Sequence, residues 1–86
     1  MRGEYFNMNP SGQITVAKMQ AGQTATVVEI RSGHGLTRRL QALGIIPGKR
    51  ITKVSSMFMR GPVTIQIHNS QVAIGFGMAD KIVVEQ

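Results

Sequence analysis

The chain has 86 residues, 42% of them apolar and 16% charged, with no cysteine and a formal net charge of +6. Such a length makes one domain, and a chain of this size buries roughly 60% of its unfolded surface, which leaves no room for a deep internal site. The composition excludes overall disorder, the lack of cysteine excludes a disulfide frame or a thiolate zinc site, and no apolar run reaches the ~18 residues of a membrane-spanning helix.

Residues 1–13 hold Asn7, Asn9, Pro10, Ser11 and Gly12 and read as a flexible N-terminal extension. They lack the apolar run of about 7–15 residues that a secretory signal needs, so a cytoplasmic location is expected. Ile14-Thr15-Val16 suits a short strand; alternatively, Thr15 caps one helical turn through Met19. Residues 20–23 then turn, with Gly22 supplying a positive φ. Residues 24–31 are rich in β-branched side chains and predict a strand. Val27, Val28 and Ile30 cannot all share one face of it, which predicts a bulge.

One helix is predicted over 35–43, where Leu36, Leu40 and Leu43 fall at i, i+4 and i+7 as a single apolar stripe. Nine residues are too few to be helical alone, so the stripe must be pinned on the sheet. Gly44 stands where a left-handed residue would end the helix, and Pro47-Gly48 fits the centre of a type II turn. Residues 51–55 form a second strand of broken alternation, with Ile51 and Val54 three apart. Val63, Ile65 and Ile67 alternate cleanly with polar residues. Asn69-Ser70 makes a short loop into a strand over 71–74, Gly75-Phe76-Gly77 breaks it, Met78-Ala79-Asp80 gives one helical turn, and Ile82-Val83-Val84 ends the pattern. About five short strands with one brief helix predict a mainly β fold, a small antiparallel barrel or sandwich without internal repeats.

The order Gly22, Val27-x-x-Ile30, Leu36-x-x-x-Leu40, Leu43-Gly44-x-x-Pro47-Gly48-x-x-Ile51 resembles the FeoA family. Gly61-Pro62-Val63, Val72-Ala73-Ile74 and Ala79-x-x-Ile82-x-Val84 follow in the family's order, so the resemblance spans 14–85. It implies an SH3-like barrel over 14–86 and an accessory role in bacterial ferrous-iron uptake, together with the membrane GTPase-transporter FeoB. The implied partner surface is the cytoplasmic G-domain, or another cytoplasmic face, of FeoB, with the membrane reached only through that partner. The pattern also resembles the SH3-like domain of metal-dependent repressors of the DtxR type. No winged-helix or metal-binding region precedes it here, and a free-standing domain is therefore expected.

Candidate sites divide into frame and surroundings. Gly44, Pro47 and Gly48 are read as a structural turn. Arg38, Arg39, Lys49 and Arg50, with Lys53 beside them, form either a basic patch for carboxylates or phosphates of a partner or the solvated face of an amphipathic helix. An arginine finger supplied in trans by Arg38 or Arg39 is the sharpest form of the first reading. Met57-Phe58-Met59 has three readings: packing, adaptable partner contact, or soft metal ligation suited to Cu(I). Exposure there would also suit a homo-oligomer.

His34 and His68 stand 34 residues apart with no ligand at metal-binding spacing, so no cofactor and no metal site built by one chain is expected, which leaves open a surface zinc at a crystal or dimer contact. Gly33-His34-Gly35 is too short for a phosphate loop. No nucleophile and base pair up, which predicts a protein that is not an enzyme. A basic barrel raises nucleic acid as an alternative partner. It is not the one expected, because Tyr5, Phe6, Phe58 and Phe76 offer no aromatic pair for base stacking.

Overall fold

The computed structural model describes residues 12–56 and 61–86. Within them the order is β1 (Gln13–Thr15), a 3-10 turn (Val16–Lys18), β2 (Thr24–Ile30), α1 (His34–Ala42), β3 (Arg50–Ser56), β4 (Val63–Ile67), β5 (Ser70–Ile74), α2 (Phe76–Ala79) and β6 (Ile82–Glu85). The fold is mainly β, with six strands among the described residues where about five were expected. The sixth arises because the chain after Gly12 takes both of its predicted forms, β1 first and the 3-10 turn next. Thr15 occupies the N-cap position in extended conformation, yet its side chain makes no cap bond. Its Oγ1 donates instead to Asp80 Oδ1 at 3.2 Å.

The strands form one antiparallel sheet in the order β1-β6-β2-β3-β4-β5. Both strands of broken alternation shift register where the break falls. Val27 faces Val84 and Glu29 faces Val83, which leaves Val28 as the extra residue. Lys53 faces Ile65 and Ser55 faces Thr64, which leaves Val54 as the extra residue. A bulge of this kind bends and twists its strand, which lets a small sheet curl around its own inner face.

One core cluster takes Ala25 and Val27 from β2, Ile51 from β3, Val63, Ile65 and Ile67 from β4, Ile74 from β5, and Ile82 and Val84 from β6. Leu40 of α1 and Ile45 after it join the same cluster, both with no exposed surface. α1 runs one residue ahead of its predicted span, with Gly33 at the N-cap. Its stripe is shorter than expected. Leu36 packs against the core and Leu40 lies in it, but Leu43 is 39% exposed because the chain has already left the helix there. The β4–β5 loop is His68-Asn69, one residue earlier than predicted, and Ile67 pairs with Ser70 across it. His68 takes the left-handed conformation at φ 56, a region where histidine is enriched among residues other than glycine.

Lys53 is the largest departure from expectation. It shares strand parity with Ile51, so its side chain enters the core, where it is 2% exposed. Its ammonium donates to three backbone carbonyls at the end of the 3-10 turn: Val16 O at 3.1 Å, Ala17 O at 3.2 Å and Met19 O at 2.6 Å. Three donors meet three acceptors, which is what allows a charge there. Burial holds this ammonium below the ordinary lysine pKa.

Candidate partner interface

The end of α1 is built by local backbone bonds. Gly44 sits at φ 91, and its amide donates to Gln41 O at 2.9 Å. The Ile45 amide donates to Leu40 O, also at 2.9 Å. These are the two bonds of a Schellman motif, whose usual apolar pair is here Leu40 and Ile45. Pro47-Gly48 makes the predicted type II turn: Gly48 sits at φ 92, and the Lys49 amide donates to Ile46 O at 3.1 Å. Two further bonds staple the turn to the bulge of β2. The Gly48 amide donates to Val27 O and the Val27 amide to Lys49 O, each at 2.8 Å.

The same turn meets the β4–β5 hairpin. A Cβ on Gly44 would stand 3.8 Å from Ile67 Cγ2. Lys49 Nζ lies 3.0 Å from His68 Nε2. An ammonium only donates, so Nε2 accepts in this pairing. Helix exit, turn and hairpin loop therefore form one corner of the molecule.

Arg38 and Arg39 are exposed on α1, and Lys49 is half-buried against His68. Arg50 is exposed and opens β3 opposite Thr26. All four reach the surface from segment 38–50. Lys53 does not belong with them, since it points inward to the 3-10 turn. Met57, Phe58 and Met59 lie outside the described residues, as does residue 1–11 of the extension. Among the described residues, Arg38, Arg39, Lys49 and Arg50 make no ion pair. Of the described acids, Glu29 bonds Arg31 at 2.8 Å, Asp80 accepts from Thr15, and Glu85 stands on β6 across Thr26 from Arg50.

Two surface residues escaped the sequence reading. Leu43 and Ile46 are each 39% exposed and are the large apolar side chains left most open among the described residues. The signal was present in the helix end itself. With Gly44 left-handed, the apolar partner of Leu40 is Ile45, and Leu43 and Ile46 fall outside that pair. Pro47, exposed as well, extends the same edge.

A shallow cleft of about 210 Å³ is lined by Gln13, Ile14, Thr15, Lys18, Arg31 and Val83. Its hydroxyl is engaged by Asp80 and its arginine by Glu29. No group of three His, Cys, Asp or Glu side chains converges among the described residues, and no helix there is long and apolar enough to cross a membrane. What the described surface offers is cationic and apolar contact.

The chain matches the family model of the FeoA domain over residues 14–86. A curated protein of Methanocaldococcus jannaschii named Fe(2+) transport protein A is 36% identical over 70 residues, 81% of this chain and 83% of that one. A crystal structure of an iron uptake regulatory protein, FeoA, is 32% identical with a TM-score of 0.77, over 85% of this chain and 95% of that one. Two more distant structures share the fold. The zinc complex of Stenotrophomonas maltophilia FeoA, described as an SH3 domain protein, is 22% identical with a TM-score of 0.73, over 84% of this chain and 89% of its own. A manganese-dependent transcriptional repressor is 20% identical with a TM-score of 0.82, over 93% of this chain but only 45% of the repressor.

Proposed function

The chain belongs to the FeoA family, and on that premise we propose that it is a non-enzymatic accessory protein of ferrous-iron uptake that works in the cytoplasm by binding the membrane GTPase-transporter FeoB. Residues 14–86 are its working domain. The observation that carries the reading is the family match combined with a surface built for contact: four cations on segment 38–50 with no ion pair among the described residues. The Stenotrophomonas maltophilia relative has itself been put forward as a ferrous iron transport activating factor. In this reading Arg38, Arg39, Lys49 and Arg50 meet carboxylates or phosphates on the transporter. Met57, Phe58 and Met59 belong to the same proposed interface.

One observation favours a second reading. The fold is shared with a manganese-dependent repressor, which points to a relative of that repressor's SH3-like domain or to a small basic nucleic-acid binder. Phe76 is the one aromatic side chain among the described residues, which leaves no described stacking platform.

Titration of the purified chain against detergent-solubilised cognate FeoB and against its isolated G-domain, without nucleotide and with GDP or a GTP analogue, tests the first reading. Saturable binding in at least one state is expected. Absence of binding in all of them, with salt-steep binding to DNA or RNA instead, would overturn it.

A further inference from the structure

The corner at the end of α1 carries a feature that basic charge alone does not explain. Leu43 and Ile46 are each 39% exposed, and both lie beside residues with no exposed surface at all, Leu40 three positions before one and Ile45 immediately before the other. The fold thus has apolar side chains to spare at this point and turns two outward together with Pro47. Polar substitutions at either position would satisfy the Schellman motif equally well, because its apolar pair is Leu40 and Ile45. The motif itself therefore does not require a leucine and an isoleucine there.

The charge around them has one sign. Arg39 stands in the last turn of α1, four positions before Leu43. Arg38 is its neighbour, and Lys49 closes the turn that carries Ile46. The described acids stand on β2, on β6 and after α2, and none of them forms an ion pair with these cations. An apolar centre with a cationic rim and no ion-paired counter-charge among the described residues is complementary to an apolar stripe flanked by carboxylates.

We infer that Leu43, Ile46 and Pro47 form a docking ridge for an acidic amphipathic segment of a protein partner, with Arg38, Arg39 and Lys49 pairing its carboxylates. The inference rests on the proposed role as a partner-binding accessory and names the chemistry of the surface that would be bound. An anionic membrane is a poorer match, since interfacial binding draws on a longer apolar face and on aromatic anchors that the ridge does not contain. Nucleic acid is poorer again, since the ridge presents no aromatic face.

The test uses the full chain, isotope-labelled for amide shift mapping, and three probes. One is an amphipathic helical peptide with leucines at i, i+4 and i+7 and glutamates between them; the second is the same peptide with lysine for every glutamate; the third is vesicles of anionic phospholipid. The glutamate peptide is expected to shift amides of residues 38–50 and His68 saturably, and the lysine peptide to shift none. L43S combined with I46S should weaken the glutamate peptide ten-fold or more while leaving the amide spectrum of the core unchanged. R39E should weaken it to a similar degree. Equal binding by L43S/I46S, binding of the lysine peptide, or vesicles outcompeting the glutamate peptide would each overturn the ridge. The same variants titrated against FeoB separate the two claims. Peptide binding without FeoB binding defeats the proposed function and keeps the ridge; FeoB binding untouched by L43S/I46S defeats the ridge and keeps the function.

Discussion

The exit of α1 and the 3-10 turn after β1 both end with backbone carbonyls that their own helices cannot satisfy, and the chain supplies the missing donors in opposite ways. At the exit of α1 the donors are the next few amides: Leu43 and Ile45 serve Leu40 O, and Gly44 serves Gln41 O. After the 3-10 turn one donor is the Met19 amide, and the others all come from Lys53, which is 34 to 37 residues away from the carbonyls it serves. Local closure needs one left-handed glycine and frees the side chains around it to face a partner. Distant closure ties the first turn of the domain to the middle of β3 and commits a charge to the interior. The first device shapes a surface and the second holds the fold together.

Replacing Lys53 should therefore have the largest effect of any cation in this strand. Lys53→Met keeps the aliphatic stem but leaves Val16 O, Ala17 O and Met19 O without their shared donor. A buried ion pair exchanged for apolar residues is often neutral, because both charges leave together; here the acceptors are backbone carbonyls and stay behind. The expected loss is about 3 kcal/mol, which for a domain of this size lowers the melting temperature by roughly 12 °C or more. Arg50→Met, three positions earlier on the same strand and exposed, should change stability by under about 0.5 kcal/mol. Thermal unfolding of both variants by circular dichroism decides the matter. Similar melting temperatures for the two would erase the distinction between the regions.

A smaller effect is expected at the local closure. Gly48 sits at φ 92 with open space where a Cβ would stand, so a side chain there meets no neighbour and is strained through the backbone alone. Gly48→Val should cost about 1–2 kcal/mol and lower the melting temperature by several degrees. Since the Gly48 amide also bonds Val27 O, hydrogen exchange at Val27 and Lys49 should quicken in the same variant. An unchanged melting temperature would mean that the positive φ is not what holds this turn.

The same contrast explains what could be read from residues alone. Gly44, Pro47 and Gly48 announce their conformations within five positions, and both glycines sit at positive φ. The bulges at Val28 and Val54 were legible for a similar reason, since a strand of period two shows its own faults. Lys53 was misplaced because a lysine is almost never fully buried, and its three acceptors sit in a segment with no sequence mark of needing a cation. Strand parity with Ile51 is the one local signal that points Lys53 inward. Leu43 was misplaced by one step of geometry: i+7 continues a stripe only while the helix lasts, and α1 ends at Ala42. The fold class thus rests on local chemistry that any reader of the chain can find, whereas the assignment of cations to surface or core rests on contacts across the sheet.

The smallest expected effect bears on the charge state of that interior cation and sharpens the comparison furthest. Two influences compete at Lys53: loss of water disfavours the ammonium, and three carbonyl acceptors favour it. Burial prevails and places the native pKa below the ordinary lysine value. In the unfolded chain Lys53 titrates at ~10.4. Below the lowered native value both states hold the proton, and the group adds no pH dependence. As pH rises between the two values the native state releases its proton while the unfolded state keeps it, so the unfolded state binds more protons and stability rises with pH. Urea unfolding of the parent and of Lys53→Met between about pH 8 and about 10.4, each measured at the same points, isolates this group, since every other lysine titrates in both proteins. The stability difference in favour of the parent should widen toward the upper limit. A difference that narrows would mean that the carbonyls of Val16, Ala17 and Met19 hold the ammonium more tightly than burial opposes it, and the turn after β1 would then be closed by a cation that the fold actively retains.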